Sequence, residues 1–172
     1  MDFVSHYLIG NIIAVTRKKI TRKKIITIAF FGLLPDIIQI PLYLYVGFLN
    51  NKAFCLPNTC DWVGFRDNHP IISASMDIPH SLFFLFFIWL IVKYFKLPYL
   101  CLLAYLSHIL IDIPTHTGEW AVKFLYPFPF MVNGYADVWA WNLYLYPIVW
   151  MVLVFIIVIV KKIQRDEIIY QN

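Results

Sequence analysis

The chain predicts an all-α integral membrane bundle with four to five membrane segments, in a single domain over residues 1–172. Hydrophobic residues make up 61% of it and charged residues 14%, against about 45–50% and about 25% in ordinary soluble domains. Mean hydropathy is +0.71. The apolar residues also fall into five runs, several near the roughly 20 residues that a helical span requires.

The first run, Phe3–Val15, reaches about 20 Å if helical, which leaves open whether it crosses. A secretory signal peptide carries its positive charge before the apolar region; here the basic residues follow, which favours an outside N-terminus or a segment lying in the membrane. Ile25–Leu49 is long enough to span, with Pro35 and Pro41 expected to kink or interrupt it. Ser81–Val92 is short alone and adequate with its flanks. Leu97–Ile113 and Leu143–Val160 are the clearest spans.

The net charge of +4 does not point to nucleic acid, because the cations cluster at segment ends. Eleven of the fourteen lie in three blocks: Arg17 to Lys24, Lys93 with Lys96, and Lys161 to Arg165. Only Lys52, Arg66 and Lys123 lie elsewhere. That asymmetry orients membrane proteins with basic loops in the cytoplasm, as expected in a cell (inner) membrane, and it also suits contact with anionic lipid headgroups. Cys101 falls inside an apolar run as a small core residue. Cys55 and Cys60 share a loop on the expected outer side, where a disulfide is permitted but not decided by spacing.

Two loops face that outer side. Residues 50–79 are mixed and polar, whereas 114–141 carry Trp120, Phe124, Tyr126, Phe128, Phe130, Tyr135, Trp139 and Trp141. Such a run makes an interfacial aromatic belt, a lipid-facing rim around a site, or both.

Ionisable groups at bilayer depth cost roughly 2.5–3.5 kcal/mol on insertion scales and mark function. Counted at about 1.5 Å per helical residue from the nearest basic anchor, His6, Asp36, His80 and His108 lie about 16–20 Å deep, and Asp112 about 24 Å. Four segments thus deliver imidazoles and carboxylates to one outer-leaflet layer. His108, Asp112 and His116 are each four residues apart, and residues i and i+4 share a helix face. Imidazole with carboxylate suits Zn, Fe, Ni or Mn rather than thiolate-loving ions. Two Asp and three or four His exceed a closed four-ligand zinc site. They suit a dinuclear centre, or a mononuclear one with supporting carboxylates. A paired-metal site can generate hydroxide and clamp a phosphoryl oxygen.

Each residue has a plainer alternative. Asp36 follows Pro35 and could bond backbone freed by a kink, His80 could cap a helix, and His6 could be a lone interfacial residue. Pro114 disfavours helix at Ile113, which makes His116 a conditional third ligand. Glu119 could serve as a general base or be a solvated loop carboxylate, and His69 and Asp77 carry weak individual signals.

The set of His6, Leu34-Pro35-Asp36, His80-Ser81, His108 with Asp112, and Gly118 followed by Tyr126-Pro127-Phe128 resembles the membrane-bound metal-dependent hydrolases. That family is related to zinc-dependent phospholipase C and to a bacterial inner-membrane protein regulated by the LexA repressor. The resemblance covers the chain up to about residue 128 and rests on the order and spacing of short motifs. It implies His6, Asp36, His80, His108 and Asp112 as metal ligands, and a phosphoester or lipid substrate. In one respect the chain departs: Ser75 stands where the family commonly has a further His, five positions before the one matching His80. Asp77 or His69 would have to replace that ligand, or a second metal would be lacking.

The expected function is metal-assisted hydrolysis of an ester or phosphoester, lipid included, at the outer membrane surface, with Asp77 or Glu119 relaying a proton. Intramembrane His and Asp also build ion pathways, so an ion or metal transporter is the alternative, followed by a non-catalytic scaffold whose metal staples helices together. The nearly apolar cytoplasmic halves of the spans argue against a through path.

Overall fold

The computed structural model describes residues 2–170, and all of their side chains except Thr59, Glu119, Trp139 and 167–170. Among the described residues there are seven α-helices and no β-strand. Helix α1 (Phe3–Val15) coincides with the first apolar run; its start is fixed by Asp2, whose carboxylate accepts from the Ser5 backbone N–H at 3.0 Å. Helix α2 (Arg22–Leu49) is capped by Thr21 and continues through both Pro35 and Pro41. The expected interruption does not occur. Each proline removes only one intrahelical bond, and the remaining ladder of a 28-residue helix carries on past it.

The polar stretch after α2 holds two elements that hydropathy does not reveal: α3 (Thr59–Asn68) and the single turn α4 (Pro70–Ser73). Helix α3 opens with a capping box. Asn58 accepts from the Asp61 N–H, and the Asp61 carboxylate accepts from the Asn58 N–H at 2.7 Å. Trp62 and Phe65 from α3 bury with Val46 of α2, forming a small second core. Helix α5 (Leu82–Tyr94) is capped by Ser81, whose hydroxyl accepts from the Phe84 N–H at 3.1 Å. Ser81 therefore fills the capping role considered for His80.

Helix α6 (Leu100–Thr115) runs one residue past Pro114 and ends with His116 as its C-cap. A proline in the last turn costs one bond only. The Thr115 hydroxyl donates to the Ile111 carbonyl at 2.9 Å, and the Pro114 carbonyl accepts from the Tyr135 N–H at 2.9 Å. Helix α7 (Leu145–Tyr170) closes the chain.

Two of these helices are long and apolar enough to cross a membrane, one over Arg22–Leu49 and the other over Leu145–Asp166. The other apolar helices, α1, α5 and α6, have 13, 13 and 16 residues. Helix α1 packs against α2, α6 and α7; α6 lies between α2 and α5. The α1–α2 approach depends on glycine. A Cβ on Gly10 would lie 2.7 Å from the Ala29 Cα, and one on Gly32 would lie 2.9 Å from the His6 carbonyl oxygen. Small residues at a helix crossing let backbones come this close. The main core, including Ile28, Ile88, Cys101 and Tyr105, lies around α6. Cys55 and Cys60 are not bridged.

Candidate metal centre

The same crossing positions the first imidazole. His6 is 1% exposed and lies flat on His108, ring centroids 3.6 Å apart and 20° between planes. His108 is fully buried, and its Nδ1 lies 2.7 Å from the Gly32 carbonyl oxygen. A carbonyl only accepts, so Nδ1 carries the proton and the Nε2 lone pair is turned into the cluster. A backbone acceptor behind the imidazole is the usual way a ligating His is oriented.

Asp112, one turn further along α6, is 2% exposed and uses both oxygens. Its Oδ2 is 3.0 Å from His108 Nε2 and 3.6 Å from His80 Nε2; its Oδ1 is 3.1 Å from His6 Nε2 and 3.6 Å from His116 Nδ1. Asp36, from the α2 turn that follows Pro35, places Oδ1 3.5 Å from His108 Nε2 and 3.6 Å from His80 Nε2. The two facing imidazole nitrogens, His80 Nε2 and His108 Nε2, are 3.1 Å apart.

These separations have the size expected around an ion. Four ligands about 2.1 Å from a tetrahedral centre lie about 3.4 Å from one another. Within Asp36 Oδ1, His80 Nε2 and His108 Nε2 the edges run from 3.1 to 3.6 Å, and Asp112 Oδ2 lies 3.0 Å and 3.6 Å from the His108 and His80 nitrogens. Two buried or half-buried groups, His6–His108–Asp112 and Asp36–His80–His108, could hold a metal ion. They share His108, whose one free nitrogen serves a single ion; the Asp112 carboxylate, with one oxygen toward His6 and the other toward His80 and His108, can link two positions. On its Oδ1 side lies His6, whose Nε2 has the Asp112 carboxylate 3.1 Å away and whose Nδ1 is buried without a hydrogen-bond partner.

Residues around the ring fix it in place. Gln39, one turn after Asp36, brings its amide 2.9 Å from His80 Nδ1, and the Met76 carbonyl lies 3.4 Å from the same atom. The Tyr105 hydroxyl donates to the Pro79 carbonyl, next to His80. His116 Nδ1 is held 3.1 Å from the Asp112 main-chain carbonyl, and burial lowers its pKa to about 4. At neutral pH it is therefore uncharged, with its proton on Nδ1 toward that carbonyl and its lone pair on Nε2.

Of the residues expected from sequence, His6, Asp36, His80, His108 and Asp112 converge, with His116 at the edge. Asp77 does not join the ring as a ligand. Its carboxylate pairs with Lys123 Nζ at 2.8 Å, because Lys123 comes over from the opposite loop. His69 ends α3, exposed and against the Phe65 ring at 4.8 Å, and so does not replace the ligand lacking at Ser75. The Glu119 side chain lies outside the described residues. Sequence reasoning passed over Gln39 and Gly32, although a lone Gln inside an apolar run is itself a signal.

The cluster forms one side of a cavity of about 500 Å³. Tyr43, Trp62 and Trp120 line it, as do Asp77, Lys123 and Arg66. No protein family, curated protein or solved structure matches the chain.

Proposed function

We propose that this chain is an integral membrane hydrolase that uses one or two divalent ions, Zn in the first place with Mn or Fe as alternatives, to cleave an ester or phosphoester at the outer membrane surface. One observation carries the proposal: imidazoles and carboxylates from α1, α2, α6 and the turn before α5 meet at ligand spacing beside an aromatic-lined cavity. The likeness of its motifs to those of membrane-bound metal-dependent hydrolases, which rests on the same His and Asp residues, agrees with this reading.

In this reading α1, α5 and α6 lie in the membrane with α2 and α7, giving four to five segments, with the basic blocks cytoplasmic. The exposed apolar side chains of α5, among them Phe83, Phe86, Phe87 and Leu90, support its contact with lipid. Asp36, His80, His108 and Asp112 would hold one ion, and His6 and His116 would complete a second position across Asp112. When bound, the metal supplies Lewis-acid activation of water and of the ester or phosphoryl oxygen. The chain's own parts do the rest. The Gly32 carbonyl and Gln39 orient the imidazoles, Trp62 and Trp120 exclude water from one wall, and Asp77, which lines the cavity, moves a proton there, the role that the sequence also offered to Glu119.

Transport has less support. One and two turns before His108 on α6 the residues are Ala104 and Cys101, both fully buried and apolar, so this face of α6 carries no ionisable carboxylate or imidazole away from the cluster. The deciding experiment combines elemental analysis of the purified protein with assays on phosphoester and ester lipids. Stoichiometric metal and turnover, both lost in His108→Ala and Asp112→Ala, are expected. Metal-free protein, or turnover that survives both substitutions, would sink the proposal.

A further inference from the structure

A second groove lies between α5 and α6, and none of its lining residues lines the cavity at the metal cluster. Leu85, Phe86 and Trp89 of α5 and Leu102, Leu103 and Leu106 of α6 form its wall, around a space of about 350 Å³. Phe86, Trp89 and Leu103 are exposed, so the groove opens away from the core.

One end of this apolar groove is cationic. On α5 the lining positions fall on a single helical stripe, and Lys93 continues that stripe one turn beyond Trp89. Its Nζ lies 5.1 Å from the centre of the Trp89 ring, within cation–π range, which holds the ammonium over the groove wall. Lys96 follows in the turn that joins the two helices. No Asp or Glu occurs between Asp77 and Asp112, and among the described residues neither ammonium pairs with a carboxylate. Tyr94, Phe95 and Tyr99, beside the lysines in the chain, are exposed. Aromatic residues next to cations in this way mark the level of a membrane–water interface.

An apolar groove with two unbalanced cations at its mouth is complementary to an acyl chain that ends in an anionic headgroup. Basic pockets at the cytoplasmic ends of membrane helices take lipids of that kind. An apolar helix would cover the groove and leave both ammonium groups unanswered. A free phosphate would answer them and leave the groove unfilled.

Building on the reading that α5 and α6 lie in the membrane with the basic blocks cytoplasmic, we infer that this groove binds an anionic phospholipid of the cytoplasmic leaflet, its headgroup on Lys93 and Lys96 and an acyl chain along Phe86, Trp89 and Leu103. The bound lipid spans both helices. It therefore braces α5, which follows His80, against α6, which carries His108 and Asp112.

The test is lipid binding to the full chain in nonionic-detergent micelles, read by native mass spectrometry. The probes are phosphatidylglycerol, phosphatidylcholine with the same chains, and glycerol phosphate. Phosphatidylglycerol should bind at least about tenfold more tightly than phosphatidylcholine, since each basic side chain at an anionic surface is worth about fivefold. Lys93→Gln combined with Lys96→Gln should abolish that preference. Leu103→Trp, which fills the groove and leaves both lysines, should weaken phosphatidylglycerol several-fold. In the unmodified chain, phosphatidylglycerol with brominated chains should quench the part of the tryptophan emission that Trp89→Phe lacks, so occupancy of the groove is read without any groove-filling variant.

Equal binding of the two lipids overturns the inference, as does a preference that survives the double lysine variant. Unchanged binding in a folded Leu103→Trp chain, or a preference with no quenching of Trp89, overturns the groove assignment. Glycerol phosphate bound as tightly as phosphatidylglycerol overturns the acyl-chain role. A chain that stays in solution without detergent overturns the membrane reading and this site together. Binding is read without metal or turnover, so a metal-free protein that binds phosphatidylglycerol as described supports this site while refuting the hydrolase.

Discussion

The imidazole of His6 stacks on that of His108 at 3.6 Å between centroids, and the carbonyl of the same His6 is the group that a Cβ on Gly32 would strike. The two contacts are one device. Glycines at the α1–α2 crossing bring α1 close enough for its only histidine to reach a helix far along the chain.

Gly10→Ala should therefore act on both stability and metal binding. Its new Cβ would meet backbone at Ala29 rather than a movable side chain, and overpacking of that kind costs about 1–3 kcal/mol. A lower thermal midpoint in detergent, together with weaker metal binding, is the expected pair of readouts. A neutral Gly10→Ala would mean that His6 does not depend on the crossing.

Asp112→Ala removes the one carboxylate that faces four imidazoles. Metal affinity should fall by more than the roughly 10–100-fold typical of losing a supporting contact. Metal-competition titration with a chromogenic chelator measures it.

Gln39→Leu keeps the volume and apolar character of α2 but removes the amide beside His80 Nδ1. A loss of about 10–100-fold in metal affinity is expected, with the helical circular dichroism unchanged. Affinity equal to that of the unmodified chain would show that His80 is held without Gln39, by the Met76 carbonyl and the Pro79 contact to Tyr105.

Chelation should lower the thermal midpoint. A ligand that binds only the folded state at 100 times its dissociation constant stabilises by about 2.7 kcal/mol, and restoring Zn should return the midpoint. Scanning calorimetry before and after dialysis against chelator tests this, and an unchanged midpoint would count against a resident metal.

Trp150→Phe tests how α1 is held from outside. The Trp150 indole N–H donates to the Asp2 carboxylate at 2.9 Å, joining α7 to the cap of α1. Loss of the bond should cost about 0.5–1.5 kcal/mol, read as a lower thermal midpoint.

Much of the architecture is legible in the sequence because lipid-compatible helices must be long and apolar, and such runs stand out. Helix α1 has the limits of its apolar run, and α5 and α6 are displaced by only a few residues. Helix α3 was hidden because its face is set by two aromatic residues rather than by hydropathy, although its Asn58–Asp61 capping box is written in the sequence. Pro35, Pro41 and Pro114 do not interrupt their helices, for a related reason. Local backbone preference argues for a break, and the bonds made on either side outweigh it.

By itself, the sequence determined an apolar helical chain with its basic residues at segment ends, and it placed His6, Asp36, His80, His108 and Asp112 at comparable helical distances from those basic residues, because rise per residue is fixed in a helix. Such a distance says nothing about azimuth. Only the tertiary structure decided that these side chains face one another, that Asp112 offers one oxygen to each half of the ring, and that Asp77 turns instead to Lys123. The physical reason is that rotation of each helix about its axis is set by packing, here by the glycine crossing of α1 with α2 and the core around α6.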